Sequence, residues 1–422
     1  MIDEENNLIY FTGTKDSPKE SHLYCTSLFD NKDNNNEQRI TIDRITPSGG
    51  MHSVLAINIK KQLFIDSWSS INEPHQVALR SLTNNKKNDI VRLLHDGTKI
   101  ITDDPKVQAL GASLKPPEWF DVYSETSNDN DSSKLKQKMY GSIYKPNPTI
   151  FGDGPYPTIV SVYGGPHAQM VSLSKRGVNP FPFLFLLPSL PSHKTYLSLL
   201  AHTHTHIYIY IYTQVTDSYG MTADLRAQRL RQQGYAVIKL DNRGSARRGL
   251  DFEIPIYHNM GNLEVDDQVI ALKYMIDKGI VDSKRIGIMG WSYGGYMSAM
   301  CLAKRPDIFK VAVAGAMVSS WDGYDTCYTE RYMGTPKSNP IGYKNSDVMP
   351  YTSKIDGSLL LVHGLIDENV HFRHTARFIN SLIKARKYYE LLLFPDERHV
   401  PRGIDDKIYM EERITSFIER CL

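Results

Sequence analysis

The stretch Gly290-Trp291-Ser292-Tyr293-Gly294-Gly295 constrains this chain more than any other. It joins the strand-like run Arg285-Ile286-Gly287-Ile288-Met289 to the helix-like run from Tyr296 to Lys304. Small residues on either side of a serine permit a turn tight and strained enough to present its hydroxyl above a sheet. A bare Gly-x-Ser-x-Gly is common by chance. The flanking strand and helix, and partners further down the chain, decide its meaning.

A chain of 422 residues, 41% of them hydrophobic, can bury the core of one large α/β domain with room for a smaller unit. A formal charge of +2 on a mixed-sign background supplies no basic face, which argues against a nucleic-acid partner. Cys25, Cys301, Cys327 and Cys421 lack metal-type spacing and are too sparse for a disulfide framework, so reduced thiols and a cytoplasmic location are expected. The acidic, polar start does not read as a signal peptide. No membrane span is expected either, because the most apolar run, Phe181 to Leu190, is short and broken by Pro182 and Pro188.

From about Leu8 to Leu94 the chain reads as short strands between polar turns, with Leu8–Phe11, His22–Cys25, Ser53–Ile57, Gln62–Asp66 and Gln76–Leu79 the clearest. About two four-stranded blades would account for them, so residues 1–112 are expected to form a partial β-propeller. Two blades cannot close a propeller, and the reading therefore expects a chain shortened at its start. Residues 113–422 are expected to form an α/β domain. Trp119 to Tyr144 supplies two strands, and Thr158–Tyr163, Tyr235–Asp241, Arg285–Met289, Val311–Ala314, Leu359–His363 and Glu390–Phe394 continue the sheet with helices between them. Leu263 to Lys278 has a helical period, with Val265, Val269, Leu272 and Ile276 on one stripe and Glu264, Asp266 and Asp267 expected on the opposite, polar face. An anomalous insert at about 176–214 interrupts the pattern. Its His-Thr alternation at 202–206 and Ile-Tyr alternation at 207–212 are what CA and AT dinucleotide repeats in DNA would encode, and they read as translated non-coding sequence. Alternating histidines on such a tract lack the fixed geometry of a metal site, and no metal or other cofactor is expected.

A nucleophilic serine needs a base, and the base needs an acid to hold its tautomer. In α/β-hydrolases these follow in the order serine, acid, histidine on loops after later strands. Asp367 follows the strand Leu359–Gly364, and His399 follows Glu390–Phe394. Glu368 competes with Asp367, while His363, inside its strand, and His371 and His374, in the helix that follows, are expected to be structural or exposed. The backbone N–H of Tyr293 is one oxyanion donor by the geometry of the elbow, and the loop Val162-Tyr163-Gly164-Gly165-Pro166 is placed to supply a second.

These motifs, with Leu240-Asp241-Asn242-Arg243-Gly244-Ser245, Tyr328 to Gly334, Asp367 to Phe372 and Phe394 to His399, resemble the dipeptidyl peptidase IV branch of the prolyl oligopeptidase family, and most of all its soluble plant-type members. The resemblance implies an α/β-hydrolase domain preceded by a β-propeller and release of N-terminal dipeptides from peptides with proline or alanine at the second position. It implies Ser292, Asp367 and His399 as the triad, the Tyr163 hydroxyl beside the Tyr293 N–H in the oxyanion hole, and Tyr328 and Tyr332 lining the proline pocket. Trp291 and Val370 would lie nearby, and Asn369 would hold a substrate carbonyl. Arg243 reads as a structural ion-pair partner. Members often pair through the hydrolase domain, so a homodimer is implied as well. Family exopeptidases grip the substrate amine with a glutamate pair from the propeller; Glu4-Glu5, on an unanchored terminus, is not given that role. The alternatives are an acylaminoacyl or prolyl endopeptidase, or an esterase, of the same fold, and an inactive fragment that serves for binding or dimerisation.

Overall fold

The computed structural model describes residues 1–28, 41–70, 75–82, 90–96, 114–124, 136–166, 168–170 and 224–422. They fall into two compact units, the first holding the described residues up to Pro116 together with Asp224 and Leu225, the second the rest. The boundary expected at 112/113 and the insert at about 176–214 lie outside the described residues.

The first unit holds two four-stranded antiparallel sheets, each in sequential order. Strands β1 (Ile2–Asp3), β2 (Leu8–Gly13), β3 (His22–Ser27) and β4 (Ile42–Arg44) form one. Strands β5 (Met51–Asn58), β6 (Leu63–Ser69), β7 (Gln76–Ser81) and β8 (Ile90–Asp96) form the other. This is the blade pattern of a partial propeller. Tyr10, Leu23, Cys25, Ile45, Phe64 and Leu82 share one apolar cluster. Buried Asp66 is paired through one oxygen: His52 Nδ1 and Arg80 Nε each lie 2.8 Å from its Oδ2, while Oδ1 has no hydrogen-bond partner among the described residues. The start of the chain is anchored, contrary to the sequence reading: the Met1 amine donates to the Tyr10 carbonyl at 2.7 Å and β1 pairs with β2. Glu4 and Glu5 are exposed in the turn between those strands.

The second unit is an eight-stranded sheet in the order β16-β15-β14-β13-β11-β12-β10-β9. Its strands are β9 (Glu118–Tyr123), β10 (Lys138–Tyr144), β11 (Tyr156–Val162), β12 (Ala236–Asp241), β13 (Val281–Trp291), β14 (Val311–Gly315), β15 (Ser358–Gly364) and β16 (Glu390–Phe394). β9, β10 and β12 pair antiparallel, and every pairing from β12 to β16 is parallel. Parallel strands need crossovers, and the crossover helices cover both faces. Side chains alternate accordingly: Val160, Ile238 and Ile288 join one core with helices α2 (Leu263–Asp277) and α3 (Tyr293–Lys304). Ile159, Val237 and Met289 join the other with α1 (Leu225–Gln232) and α6 (Ile404–Cys421). Two more helices, α4 (Thr326–Met333) and α5 (Arg373–Lys384), follow β14 and β15.

One periodicity reading is corrected. Asp266 is exposed, but Glu264 and Asp267 are fully buried rather than on a polar face. Their charges find partners inside: Arg243 forks onto Asp267 at 2.6 Å, and Glu264 accepts three hydrogen bonds beneath the elbow. Among the described residues no helix is long and apolar enough to cross a membrane.

Candidate active site

Register carries the predicted site residues to one edge of the sheet. Val162 pairs with Gly290, Trp291 with Gly315, Gly315 with Val362, and Gly364 with Phe394, so the loops after β11, β13, β15 and β16 leave at one level. Ser292 sits at the top of β13 with φ 59° and ψ −116°, a strained left-handed conformation for a residue with a Cβ. The turn is held by Ser292 N–H donating to Gly315 O at 2.9 Å and by Tyr296 N–H donating to Ser292 O at 3.0 Å. Glycine is required on both sides: a Cβ on Gly290 or Gly294 would stand 2.4 or 2.2 Å from the Val162 carbonyl oxygen.

Asp367 and His399 meet although 32 residues separate them: Asp367 Oδ2 lies 2.7 Å from His399 Nδ1. The other carboxylate oxygen accepts the backbone N–H groups of Asn369 and Val370, each at 2.9 Å. Burial alone would raise the Asp367 carboxyl, but its hydrogen bonds with His363 and His399, the histidine charge and the loop N–H groups outweigh this and hold it well below the usual carboxylate range. Glu368 is exposed and pairs with Arg398 at 2.9 Å. His363 is buried, as expected of a strand residue, yet it also touches the acid. Its Nε2 donates to Val370 O at 2.8 Å, lies 3.2 Å from Asp367 Oδ2, and its Nδ1 takes the Thr375 hydroxyl at 2.7 Å. The spacing of four residues between His363 and Asp367 was the available sequence signal. His371 is exposed, and His374 is buried, accepting from Ser319 N–H and bonded to Gly323 O.

Ser292 and His399 share no hydrogen bond in this structure, but their neighbourhoods are tied. The Trp291 indole N–H donates to the His399 carbonyl at 2.7 Å, and its ring covers Gly315, where a Cβ would meet it at 2.0 Å. Trp291 thus packs against the histidine loop and the core on the sheet face away from the tyrosines described next, a contact across 108 residues that no local pattern announces.

On the other side of Ser292 lies an aromatic cluster. Tyr328 and Tyr332 on α4 stand 4.9 Å apart, Tyr328 stacks on Trp321 at 6.0 Å, and Tyr163 lies 5.9 Å from the Tyr293 ring. The Tyr328 hydroxyl is buried with no partner among the described residues. Burial, with a smaller contribution from Tyr332, pushes the Tyr163 phenol up to about 12, so it keeps its proton at neutral pH and can donate. Asn369 is exposed at the rim, its Oδ1 accepting the Tyr324 hydroxyl at 2.6 Å, which leaves the amide N–H groups to face outward chemistry. Val370 is fully buried and its backbone belongs to the acid loop.

Beneath the elbow, the Tyr293 hydroxyl donates to Glu264 Oε1 at 2.6 Å, and the N–H groups of Gly261 and Asn262 donate to the same carboxylate at 2.9 and 3.1 Å. Burial raises Glu264 to about 7 against these donors, with Asp267 adding to the rise. The sign follows from linkage. A carboxyl raised on folding binds its proton more tightly in the folded state, so stability falls as pH climbs from about 4.5 to about 7, by on the order of 3 kcal/mol. Thermal unfolding of Glu264→Gln should lack this component: between pH 5 and pH 8 the wild-type Tm should fall relative to the variant, and parallel profiles would refute the assignment.

Comparison with known proteins supplies the family. A profile of the prolyl oligopeptidase family matches residues 221–422, and one of the dipeptidyl peptidase IV N-terminal region matches residues 1–75. Dipeptidyl peptidase 8 of Mus musculus and that of Homo sapiens are each 34% identical to the chain over its whole length, covering 40% of those proteins. Prolyl endopeptidase FAP of Bos taurus is 38% identical over 195 residues, 45% of this chain and 25% of that protein. The chain thus spans about two fifths of the length of its full-coverage relatives. Both profiles, in the order expected of a blade unit followed by a hydrolase sheet, place the chain in the dipeptidyl peptidase IV branch of the prolyl oligopeptidase family.

Proposed function

We propose that the chain carries the catalytic centre of a serine peptidase that releases N-terminal dipeptides after a penultimate proline or alanine, through an acyl-enzyme on Ser292. One observation carries the reading above the others: a buried Asp367 carboxylate 2.7 Å from Nδ1 of His399, beside a serine held in a strained elbow. Asp367 keeps the Nδ1–H tautomer, which leaves Nε2 free to take the Ser292 proton. That last hydrogen bond is often long until substrate binds. Ser292 Oγ attacks the scissile carbonyl, and the Tyr163 hydroxyl and Tyr293 N–H stabilise the oxyanion. His399 then returns the proton to the leaving amine, and water, activated the same way, hydrolyses the acyl-enzyme. Tyr328 and Tyr332 supply apolar walls suited to a pyrrolidine ring, with buried Val370 in the core cluster they pack against. The Asn369 amide donates to a substrate carbonyl, since Tyr324 already occupies its oxygen.

Replacing Tyr163 by Phe removes one donor only. It should lower kcat on the order of 10²-fold with little change in KM, and an unchanged kcat would remove Tyr163 from the oxyanion hole.

Comparing Gly-Pro-4-nitroanilide with its N-blocked form tests the exopeptidase claim. Turnover of the free amine alone supports dipeptide release. Equal turnover would favour the second reading, an endopeptidase, to which the 38% identity with a protein named prolyl endopeptidase also points.

A further inference from the structure

The run Asp241-Asn242-Arg243-Gly244-Ser245 leaves β12 beside the Tyr163 turn, because β11 and β12 are parallel neighbours in the register Val160 to Ile238. Three hydrogen bonds cross between them. Asn242 Nδ2 donates to Gly164 O at 2.9 Å, Ala246 N–H donates to Ala168 O at 3.0 Å, and Met170 N–H donates to Asp241 Oδ1 at 2.6 Å. Asn242 is fully buried and its amide is fixed at both ends: Nδ2 also donates to Arg243 O at 2.7 Å, and Oδ1 accepts Gln268 Nε2 at 2.9 Å. Gly164 has a φ of +77°, and a Cβ there would meet Asn242 Oδ1 at 3.1 Å. On its other side the turn presses against the elbow, since a Cβ on Gly165 would stand 2.6 Å from the Tyr293 ring.

The Gly164 carbonyl is thus the point at which a buried side chain, outside the triad and outside the pocket, grips the loop that carries one oxyanion donor against the residue that carries the other. We propose that Asn242 is a positioning residue for the oxyanion hole, holding the Tyr163–Gly165 turn so that the Tyr163 hydroxyl and the Tyr293 N–H converge on one oxygen. The proposal rests on the peptidase reading above. A buried carbonyl deprived of its donor is driven to find another, and here the turn would have to move to do so. No ground-state substrate contact is involved, so the effect belongs to kcat rather than KM.

A double-mutant cycle with Tyr163→Phe isolates this role. Asn242→Asp keeps the shape but turns a donor toward two carbonyls into an acceptor; Asn242→Ser is the milder variant should the first fail to fold. Either should lower kcat on Gly-Pro-4-nitroanilide by about 10- to 100-fold with KM changed less than about threefold, and in the Tyr163→Phe background the further loss should be less than about threefold. Losses that multiply in the double variant, or a wild-type kcat in Asn242→Ser, would overturn the proposal while leaving the peptidase reading intact. If wild type neither turns over nor reacts with a fluorophosphonate, the parent reading fails instead. Hydrogen exchange read on a peptide spanning 163–170 gives a result independent of turnover. Exchange should rise about tenfold or more in the Asn242 variants, and protection equal to wild type would overturn the clamp.

Discussion

Ser292→Ala should abolish turnover of Gly-Pro-4-nitroanilide, with a loss on the order of 10⁵- to 10⁶-fold in kcat. The substitution removes one oxygen from a position whose backbone is set by Gly315, Tyr296 and two close-approach glycines, so the elbow itself should survive. Its Tm should stay near that of wild type. Alanine still carries a Cβ at φ 59°, so the strain stays where it was. KM should change little, because the pocket walls and Asn369 are untouched. A variant with more than about a thousandth of wild-type kcat would mean that another group attacks the carbonyl.

Asp367→Asn should cost about 10⁴-fold in kcat. The amide would present an N–H where His399 Nδ1 needs an acceptor, which favours the wrong tautomer and turns the proton-accepting nitrogen away from Ser292. This variant should also change the shape of stability against pH. The folded carboxyl lies below its ordinary value, so its contribution is present above about pH 4 and is lost as pH falls through and below that point. The Tm difference between wild type and Asp367→Asn should therefore be widest at neutral pH and should narrow toward pH 3. A difference that grows as pH falls would contradict the assignment, as would a kcat loss below about tenfold. Loss of activity in Glu368→Gln instead would transfer the role to the surface carboxylate that pairs with Arg398.

The parts of this fold that repeat along the chain were legible in the sequence. Six parallel-sheet strands follow apolar runs, and the eight-stranded sheet with two antiparallel sheets before it matches the expected α/β-hydrolase with a partial propeller. β1 is two residues long and β4 three, too short for alternation to declare them. The helical period on α2 correctly marked Val265, Val269 and Leu272 as core, yet it misled for Glu264 and Asp267. Carboxylates count as solvent-facing in any such pattern. Burial became affordable only through Tyr293, two backbone N–H groups and Arg243, three-dimensional partners that a single helix cannot reveal.

The candidate site divides the same way. The elbow is local, and its glycines and serine announce themselves. The choice between Asp367 and Glu368 is not local, since it depends on which carboxylate faces a ring 32 residues away. His363, Trp291 and Asn242 illustrate the remainder. Each has an unremarkable position in its own strand or turn; His363 acts on an acid four residues along, whereas Trp291 and Asn242 act through partners that only sheet register brings near.

Mass-spectrometric mapping of a fluorophosphonate adduct tests the central claim most directly. The account predicts a single adduct on the peptide containing Ser292, formed by the wild-type chain and suppressed at least about 10²-fold in rate in His399→Ala. An adduct on a different residue, or labelling of Ser292 that proceeds equally well without His399, would contradict it.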